Sequence, residues 1–102
     1  MIKIIIKRDV SSDKIILIEV KGHSGKDAYG KDLVCAAISA IITGGFNALC
    51  DKEYSFKLEE GDAYVKALDI PSDYDAVVLK TIETQLKTIE EADSEFVQIE
   101  NL

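Results

Sequence analysis

Long apolar stretches and proline are scarce in this sequence. It has a single proline among 102 residues, and it has no uninterrupted apolar run of about 18 residues. The longest candidate, 33–42, is followed closely by two glycines. We therefore expect no membrane-spanning helix, and the alternating residues at the start do not resemble a signal peptide. These absences predict a single domain over residues 1–102 and a cytoplasmic location.

Histidine and cysteine are also rare, with one histidine, His23, and two cysteines, Cys35 and Cys50. The two cysteines are predicted to lie on one helix, about 22 Å apart, whereas a disulfide needs Cα atoms within about 7 Å. Two thiols and a reducing compartment are therefore expected. So few soft ligands do not make a closed zinc site, and no metal site is predicted. The sequence also lacks a CxxC redox motif and a phosphate-binding loop.

Positive charge is in the minority, because 12 basic and 19 acidic side chains give a formal net charge of −7. Such a surface repels phosphate backbones, which disfavours direct nucleic-acid binding. It attracts a basic partner instead, such as a peptide rich in lysine and arginine. Acidic balance is common in ordinary proteins, so charge alone does not identify the partner.

Hydrophobic spacing predicts seven elements in the order ββαββαβ. Isoleucines alternate in a first strand, and the turn DVSSD joins it to a second strand that contains Val20. The remaining predicted elements are a helix from Leu33 to about Leu49 or Cys50 with Asp32 as its N-cap, two strands around the turn Glu59–Asp62, a second helix capped by Ser72 with Asp75 in its first turn, and a final strand EFVQIEN. The predicted fold class is α+β, with a single mixed or antiparallel sheet packed against two helices.

The two predicted helices differ in their patterns. The first is apolar on nearly all sides and rich in small residues, so we expect the sheet on one side and a second helix or another subunit over it. In the second helix an apolar stripe is expected to face the core, namely Val78, Ile82, Leu86 and Ile89. Its charged residues, including Glu83, are expected mostly away from that stripe.

His23 and Cys35 are candidates for a catalytic pair. Counting from Asp32 as N-cap, Cys35 is the third residue of the helix, where unpaired N–H groups and the helix dipole favour a thiolate, lower the thiol pKa and could stabilise an oxyanion. His23 ends the second strand, and the chain returns to the helix within eight residues. An imidazole near that thiol supports acyl transfer. The alternatives are a buried, inert thiol and a solvated histidine.

Neighbouring residues have two interpretations each. Asp32 either caps the helix or orients the imidazole as a third catalytic member, and its charge would oppose a thiolate beside it. Ser39, one turn beyond Cys35 on the same face, either forms hydrogen bonds in the site or aids packing. Tyr29 either lines the loop or is exposed. Cys50, at the far end of the helix, is assigned to packing.

The stretch GHSGKDAYGKDLVCAAISAI resembles the motif of the ribosomal-processing cysteine protease family of Firmicutes and their relatives. The family pattern is a Gly-His pair, a short glycine-bearing loop, then Gly-x-Asp-x-Val-Cys-Ala and a serine four residues past the cysteine. The matching residues are Gly22-His23, Gly30, Asp32, Val34-Cys35-Ala36 and Ser39. Ser24 departs from the pattern, since alanine is commoner there. The resemblance extends, less specifically, over essentially the whole chain.

This resemblance implies a cysteine endopeptidase without a cofactor, in which Cys35 is the nucleophile and His23 the general base. It implies that the substrate is the N-terminal extension of large-subunit ribosomal protein number twenty-seven, cut after an aromatic residue and before a small one. It also implies a homodimer. In this interpretation the loop 22–31 moves to admit the peptide, with Gly22 as a hinge. Gly22→Ala is then expected to slow cleavage more than it lowers the melting temperature.

Two other classes of function compete with this interpretation. The main alternative is a non-enzymatic ribosome-assembly factor that binds a basic tail on an exposed edge strand. The other is a thiol-based redox sensor, for which Cys50 would be a poor partner to Cys35. Cys35→Ala separates a protease, which loses its function, from a binding protein, which keeps it.

Overall fold

The computed structural model describes residues 1–23, 32–51 and 53–102. In these ranges the elements are β1 (Ile2–Arg8), β2 (Ile15–Lys21), α1 (Leu33–Asn47), β3 (Tyr54–Glu59), β4 (Asp62–Ala67), α2 (Asp73–Ala92) and β5 (Val97–Asn101). Their order is ββαββαβ, so the α+β prediction is confirmed. No helix in the described part of the chain has both the length and the hydrophobicity of a membrane-spanning segment.

The strands form one mixed sheet in the order β3-β4-β2-β1-β5. β1 and β5 are parallel, while the other neighbouring pairs are antiparallel. The Asp9 carboxylate closes the turn after β1 by accepting hydrogen bonds from the Ser12 N–H and Oγ, both at 2.8 Å. Because β2 pairs with β4, the end of β2 comes beside the turn that joins β3 to β4. That neighbourhood holds the candidate site.

One face of the sheet packs against both helices. The alternating Ile2, Ile4 and Ile6 of β1 are 2%, 0% and 0% exposed. They share a single core with residues of the other strands and of the helices: Ile18, Val20, Val65, Val97, Val34, Ile38, Ile42, Leu79, Ile82 and Leu86. Burial of each such side chain contributes about 1.5–3 kcal/mol relative to exposure, so this face provides the main driving force for the fold.

Helix α1 is covered on two sides, by the sheet and by α2. A Cβ at Gly45 would lie 2.5 Å from both Cδ1 and Cγ1 of Ile82, so the glycine permits a close approach of the two helices. The remaining face of α1 is open, and Leu33 is 80% exposed. The structure thus has the expected sheet on one side of α1 and a second helix, α2, over it.

Helix α1 ends at Asn47, earlier than the predicted Leu49 or Cys50. The reason is a buried carboxylate on α2. Asp75 accepts hydrogen bonds from the N–H groups of Cys50 (2.8 Å) and Asp51 (2.9 Å) and from the Tyr54 hydroxyl (2.8 Å). These contacts hold the chain in a non-helical path toward β3. The local sequence does not predict them, because the acceptor lies on a distant helix.

Glu83 of α2 was expected on the polar side of the helix, but it is fully buried. It forms ion pairs with Arg8 of β1 and with Lys80, the latter at 2.8 Å. Burial opposes ionisation of the carboxyl group, but the hydrogen bonds from Lys80 and Arg8 outweigh it and hold the pKa of Glu83 below its ordinary value. The prediction failed because the partner Arg8 is distant in sequence.

Candidate active site

An open cleft of about 550 Å³ lies between α1 and the hairpin formed by β3 and β4. Its apolar lining comes from Ile2, Val20, Ile38, Ile42, Leu58 and Ala63. The five residues selected from the sequence all border it, namely Gly22, His23, Asp32, Cys35 and Ser39. The fold thus brings the end of β2 and the first turns of α1 to the wall of one cavity.

Cys35 is the third residue of α1 and is half-buried on the cleft wall. Its Sγ donates a hydrogen bond to Asp32 Oδ2 at 3.1 Å. Cys50 is exposed beyond the end of α1, and neither cysteine forms a disulfide. Cys35 is therefore a thiol that faces a cavity, in contrast to the alternative of a thiol sealed in the core.

Asp32 is the N-cap of α1, as predicted. Its Oδ1 accepts from the N–H groups of Val34 and Cys35, both at 3.1 Å, and its backbone carbonyl accepts from Ala36 N–H at 3.1 Å. Three amides at the helix start are thus engaged by one residue. The expectation that these amides stabilise an oxyanion is weakened, because an incoming oxygen would have to displace Asp32.

Two opposing charges act on the Cys35 sulfur. The N-terminus of α1 favours a thiolate through its dipole. The Asp32 carboxylate, in contact with the sulfur, disfavours a second negative charge beside it. The structure therefore holds the sulfur as a hydrogen-bond donor, and ionisation requires a group that takes its proton.

His23 follows β2 at the rim of the cleft and is exposed. Its carbonyl oxygen accepts a hydrogen bond from the Met1 nitrogen at 2.6 Å. Its ring lies against Gly61, where an added Cβ would be 2.7 Å from Nε2. The imidazole and the thiol thus border the same cleft while each contacts a different neighbour, Gly61 or Asp32.

Gly22 has a φ of +97°, and a Cβ on it would lie 2.4 Å from the Met1 carbonyl oxygen. Both features demand glycine for the backbone conformation itself. Gly22→Ala is therefore expected to destabilise the fold as well as to slow cleavage. Slower cleavage by Gly22→Ala would therefore not by itself demonstrate a hinge at this residue. The hinge stays a prediction.

The other sequence predictions near the site have different outcomes. Ser39 is exposed and lines the cleft one turn beyond Cys35. The loop residues Ser24, Tyr29 and Gly30, with the predicted loop movement, lie outside the described residues. Among residues 1–23, 32–51 and 53–102, no group of three or more His, Cys, Asp or Glu side chains is placed to hold a metal ion.

Sequence reasoning missed the contribution of the β3–β4 turn to the cleft. It identified Glu59–Asp62 as a turn, but it did not place that turn beside His23. The signal lies in strand pairing, because Lys21 pairs with Asp62 and Gly22 N–H donates to the Gly61 carbonyl oxygen at 2.9 Å. The alternation of residues within one strand does not predict which other strand pairs with it.

A family model described as cysteine protease Prp matches residues 1–98. The ribosomal processing cysteine protease Prp of Staphylococcus aureus (strain Mu50) is 28% identical over 91 residues, which cover 84% of this chain and 86% of that protein. The protein of the same name from Bacillus subtilis (strain 168) is 44% identical over 50 residues, covering 48% of this chain and 43% of that protein.

Two crystal structures of the S. aureus ribosomal processing protease Prp resemble this chain over 100% of both chains. One holds a covalently linked product peptide and aligns with a TM-score of 0.91 at 27% identity. The other holds a substrate peptide and aligns with a TM-score of 0.86 at 25% identity. These matches confirm the enzyme class predicted from the sequence. The chain belongs to the cysteine protease Prp family.

Proposed function

We propose that this chain is an endopeptidase in which Cys35 is the nucleophile and His23 the general base. The observation that carries the proposal is the placement of Cys35 in the first turn of α1, on the wall of the cleft that His23 also borders. Membership of a cysteine protease family supports it. The apolar lining and the open mouth of the cleft suit an extended peptide.

The proposed reaction begins with the Cys35 thiol hydrogen-bonded to Asp32. The His23 imidazole takes the thiol proton, and the sulfur attacks the carbonyl carbon of the scissile peptide bond. When the C–N bond breaks, the imidazolium gives the proton to the leaving amine, which departs. Water, deprotonated by His23, then attacks the carbonyl carbon of the thioester. The C–S bond breaks, the fragment with the new carboxyl end departs, and the imidazolium returns its proton to the Cys35 sulfur.

Asp32 acts in this proposal as the helix cap and as the partner of the resting thiol. Its described hydrogen bonds go to Val34, Cys35 and Ala36. These contacts support the role of a cap more than that of an orienting residue for the imidazole. Ser39, on the same wall, is proposed as a supporting residue for the bound peptide.

The substrate proposed here is the N-terminal extension of a large-subunit ribosomal protein, number twenty-seven by the family resemblance. The names of the S. aureus and B. subtilis relatives, ribosomal processing cysteine proteases, support this choice. A net charge of −7 favours a basic tail over a nucleic acid as the direct partner. We further propose that residues 1–102 act as one domain without a cofactor, in the cytoplasm where ribosomes assemble.

A homodimer is part of the same proposal. The open face of α1, with Leu33 80% exposed, supports it because a second copy would remove apolar surface from water. Sedimentation measurements on the purified protein test it directly. A monomer at micromolar concentration contradicts this part alone and leaves the proposed chemistry standing.

The decisive experiment incubates the protein with the N-terminal peptide of the ribosomal protein from its own organism and reads the products by mass spectrometry. Cys35→Ala and His23→Ala are expected to lower the cleavage rate by at least about 1,000-fold. Cys50→Ala is the matched control, since that exposed thiol lies outside the cleft, and it should cleave at the original rate. Intact peptide with the unaltered protein, together with tight binding of the peptide, favours the non-enzymatic alternative.

A further inference from the structure

We propose that Gly61, in the turn between β3 and β4, is a positioning residue for the His23 imidazole. The inference rests on the proposed function, in which that imidazole moves the proton of Cys35. Gly61 is distant from His23 in the sequence and comes beside it because β2 pairs with β4. Its contribution is the absence of a side chain at one point on the cleft wall.

The first support is the space that the ring occupies. A Cβ built on Gly61 would lie 2.7 Å from Nε2, 3.1 Å from Cε1 and 3.5 Å from Cδ2 of His23. Non-bonded contacts of a Cβ atom with other heavy atoms are essentially never shorter than 3.0 Å. The edge of the imidazole that carries Nε2 therefore fills the volume that any side chain at position 61 would need.

The second support is the backbone that precedes the ring. Gly22 N–H donates to the Gly61 carbonyl oxygen at 2.9 Å, which extends the pairing of Lys21 with Asp62 by one more contact. Gly61 has a φ of +74°, a conformation that glycine adopts readily. Gly61 thus contacts both the end of the strand that precedes His23 and the His23 ring itself.

A side chain at position 61 must displace either the His23 ring or the paired backbone. The ring is the end of an exposed side chain, so a methyl group at position 61 displaces the imidazole more readily than the paired backbone. A displacement of about 1 Å in a reacting group costs up to about 100-fold in rate. A side chain at this positive φ also strains the backbone, so a modest loss of stability accompanies the displacement of the ring.

Two variants separate the two effects. Gly61→Ala adds the Cβ and strains the backbone, whereas Gly61→Asn adds the same Cβ in a residue that tolerates positive φ better. Both are expected to lower kcat for the peptide by about 10- to 100-fold with a smaller change in KM. Gly44→Ala is the matched control, because a Cβ there has nothing within 4 Å, and it should behave as the original protein.

A spectroscopic measurement reports on the ring itself. The protein has one histidine, so the imidazole ¹H and ¹⁵N resonances are unambiguous. They should move in both Gly61 variants and stay in place in Gly44→Ala. In a His23→Ala background, measured at stoichiometric enzyme, Gly61→Ala should cause no further loss of the residual rate.

The outcomes are distinct. Unchanged ring resonances and unchanged kcat in Gly61→Asn overturn the inference, as do equal losses from Gly61→Ala in the presence and absence of the imidazole. Those results leave the proposed function intact as long as His23→Ala remains inactive. If His23→Ala cleaves as fast as the unaltered protein, the proposed function itself is wrong.

Discussion

The two helices of this protein begin with the same local arrangement but in different surroundings. In α1 the N-cap is Asp32 and the third residue is Cys35, while in α2 the N-cap is Ser72 and the third residue is Asp75. The cap side chain accepts a hydrogen bond from the third residue's N–H in both helices, at 3.1 Å and 3.2 Å. The side chain of the third residue borders a cleft in α1 and is fully buried in α2.

The role of the third residue in each helix depends on the groups that surround its side chain. At α2, the Asp75 carboxylate receives hydrogen bonds from Cys50, Asp51 and Tyr54, so the position joins two segments of the chain. At α1, the Cys35 thiol faces a cavity large enough for part of a peptide. A saturated, buried polar group stabilises the fold, whereas an accessible group at the same helix position can contact a ligand, as proposed for Cys35.

Asp75→Ala should have the largest effect on stability. The substitution leaves two part-buried N–H groups and the Tyr54 hydroxyl without their acceptor, and we expect a loss of about 2–4 kcal/mol in the free energy of unfolding. Urea denaturation followed by circular dichroism measures it. Asp73→Ala is the matched control from the same helix turn, because its exposed, solvent-screened ion pair with Lys14 should contribute little to stability. Similar losses in the two variants would contradict the structural role assigned to Asp75.

Acidification should weaken the contribution of Asp75 to the stability of the fold. Burial opposes ionisation of Asp75, but its hydrogen bonds from Cys50, Asp51 and Tyr54 prevail and lower its pKa from the ordinary 3.8. A carboxyl group whose folded pKa is depressed stabilises the fold fully above its unfolded pKa and loses that contribution as the pH falls toward the folded pKa.

Glu83 adds to this effect, since its pKa is lowered from the ordinary 4.5. The melting temperature should therefore be level near neutral pH and fall as the pH drops below about 4.5. In Asp75→Asn the fall should be shallower, because one buried carboxyl group with a lowered pKa no longer titrates. A fall of identical steepness in that variant would show that Asp75 does not contribute. Calorimetry between about pH 3 and about pH 7 provides the measurement, because this range spans the ordinary carboxyl pKa values.

Asp32→Asn should have the smallest effect on stability but a clear effect on the thiol. Asparagine is as good an N-cap as aspartate, so the melting temperature should change little. Loss of the negative charge beside Sγ should raise the rate of iodoacetamide alkylation of Cys35 at neutral pH several-fold. The assay needs a Cys50→Ser background, because Cys50 is exposed and would react as well. A slower reaction would instead show that the carboxylate promotes the thiolate.

The helix starts were predictable because capping is local. Asp32 and Ser72 accept hydrogen bonds from N–H groups that lie within three residues along the chain. The sequence alone therefore identifies both caps. Strand alternation likewise identified the buried face of β1. The candidate pair His23 and Cys35 came from the same kind of local signal, reinforced by the family resemblance, and their joint function stays a prediction.

The unpredicted features depend on contacts between distant segments. Asp75 ends α1 by binding amides more than twenty residues earlier in the chain. Glu83 is buried because Arg8 reaches it from β1. The place of Gly61 beside His23 follows from the pairing of β2 with β4, which is not a hairpin. Local patterns give elements and caps, but strand order and buried charge partners arise only when the sheet is assembled.

Asp32 combines two tasks in one side chain, since one oxygen caps α1 and the other holds the sulfur of Cys35. The cap of α1 and the hydrogen bond of the Cys35 thiol therefore depend on the same side chain. Efforts to stabilise the protein by changing this position will also alter how quickly electrophiles modify it.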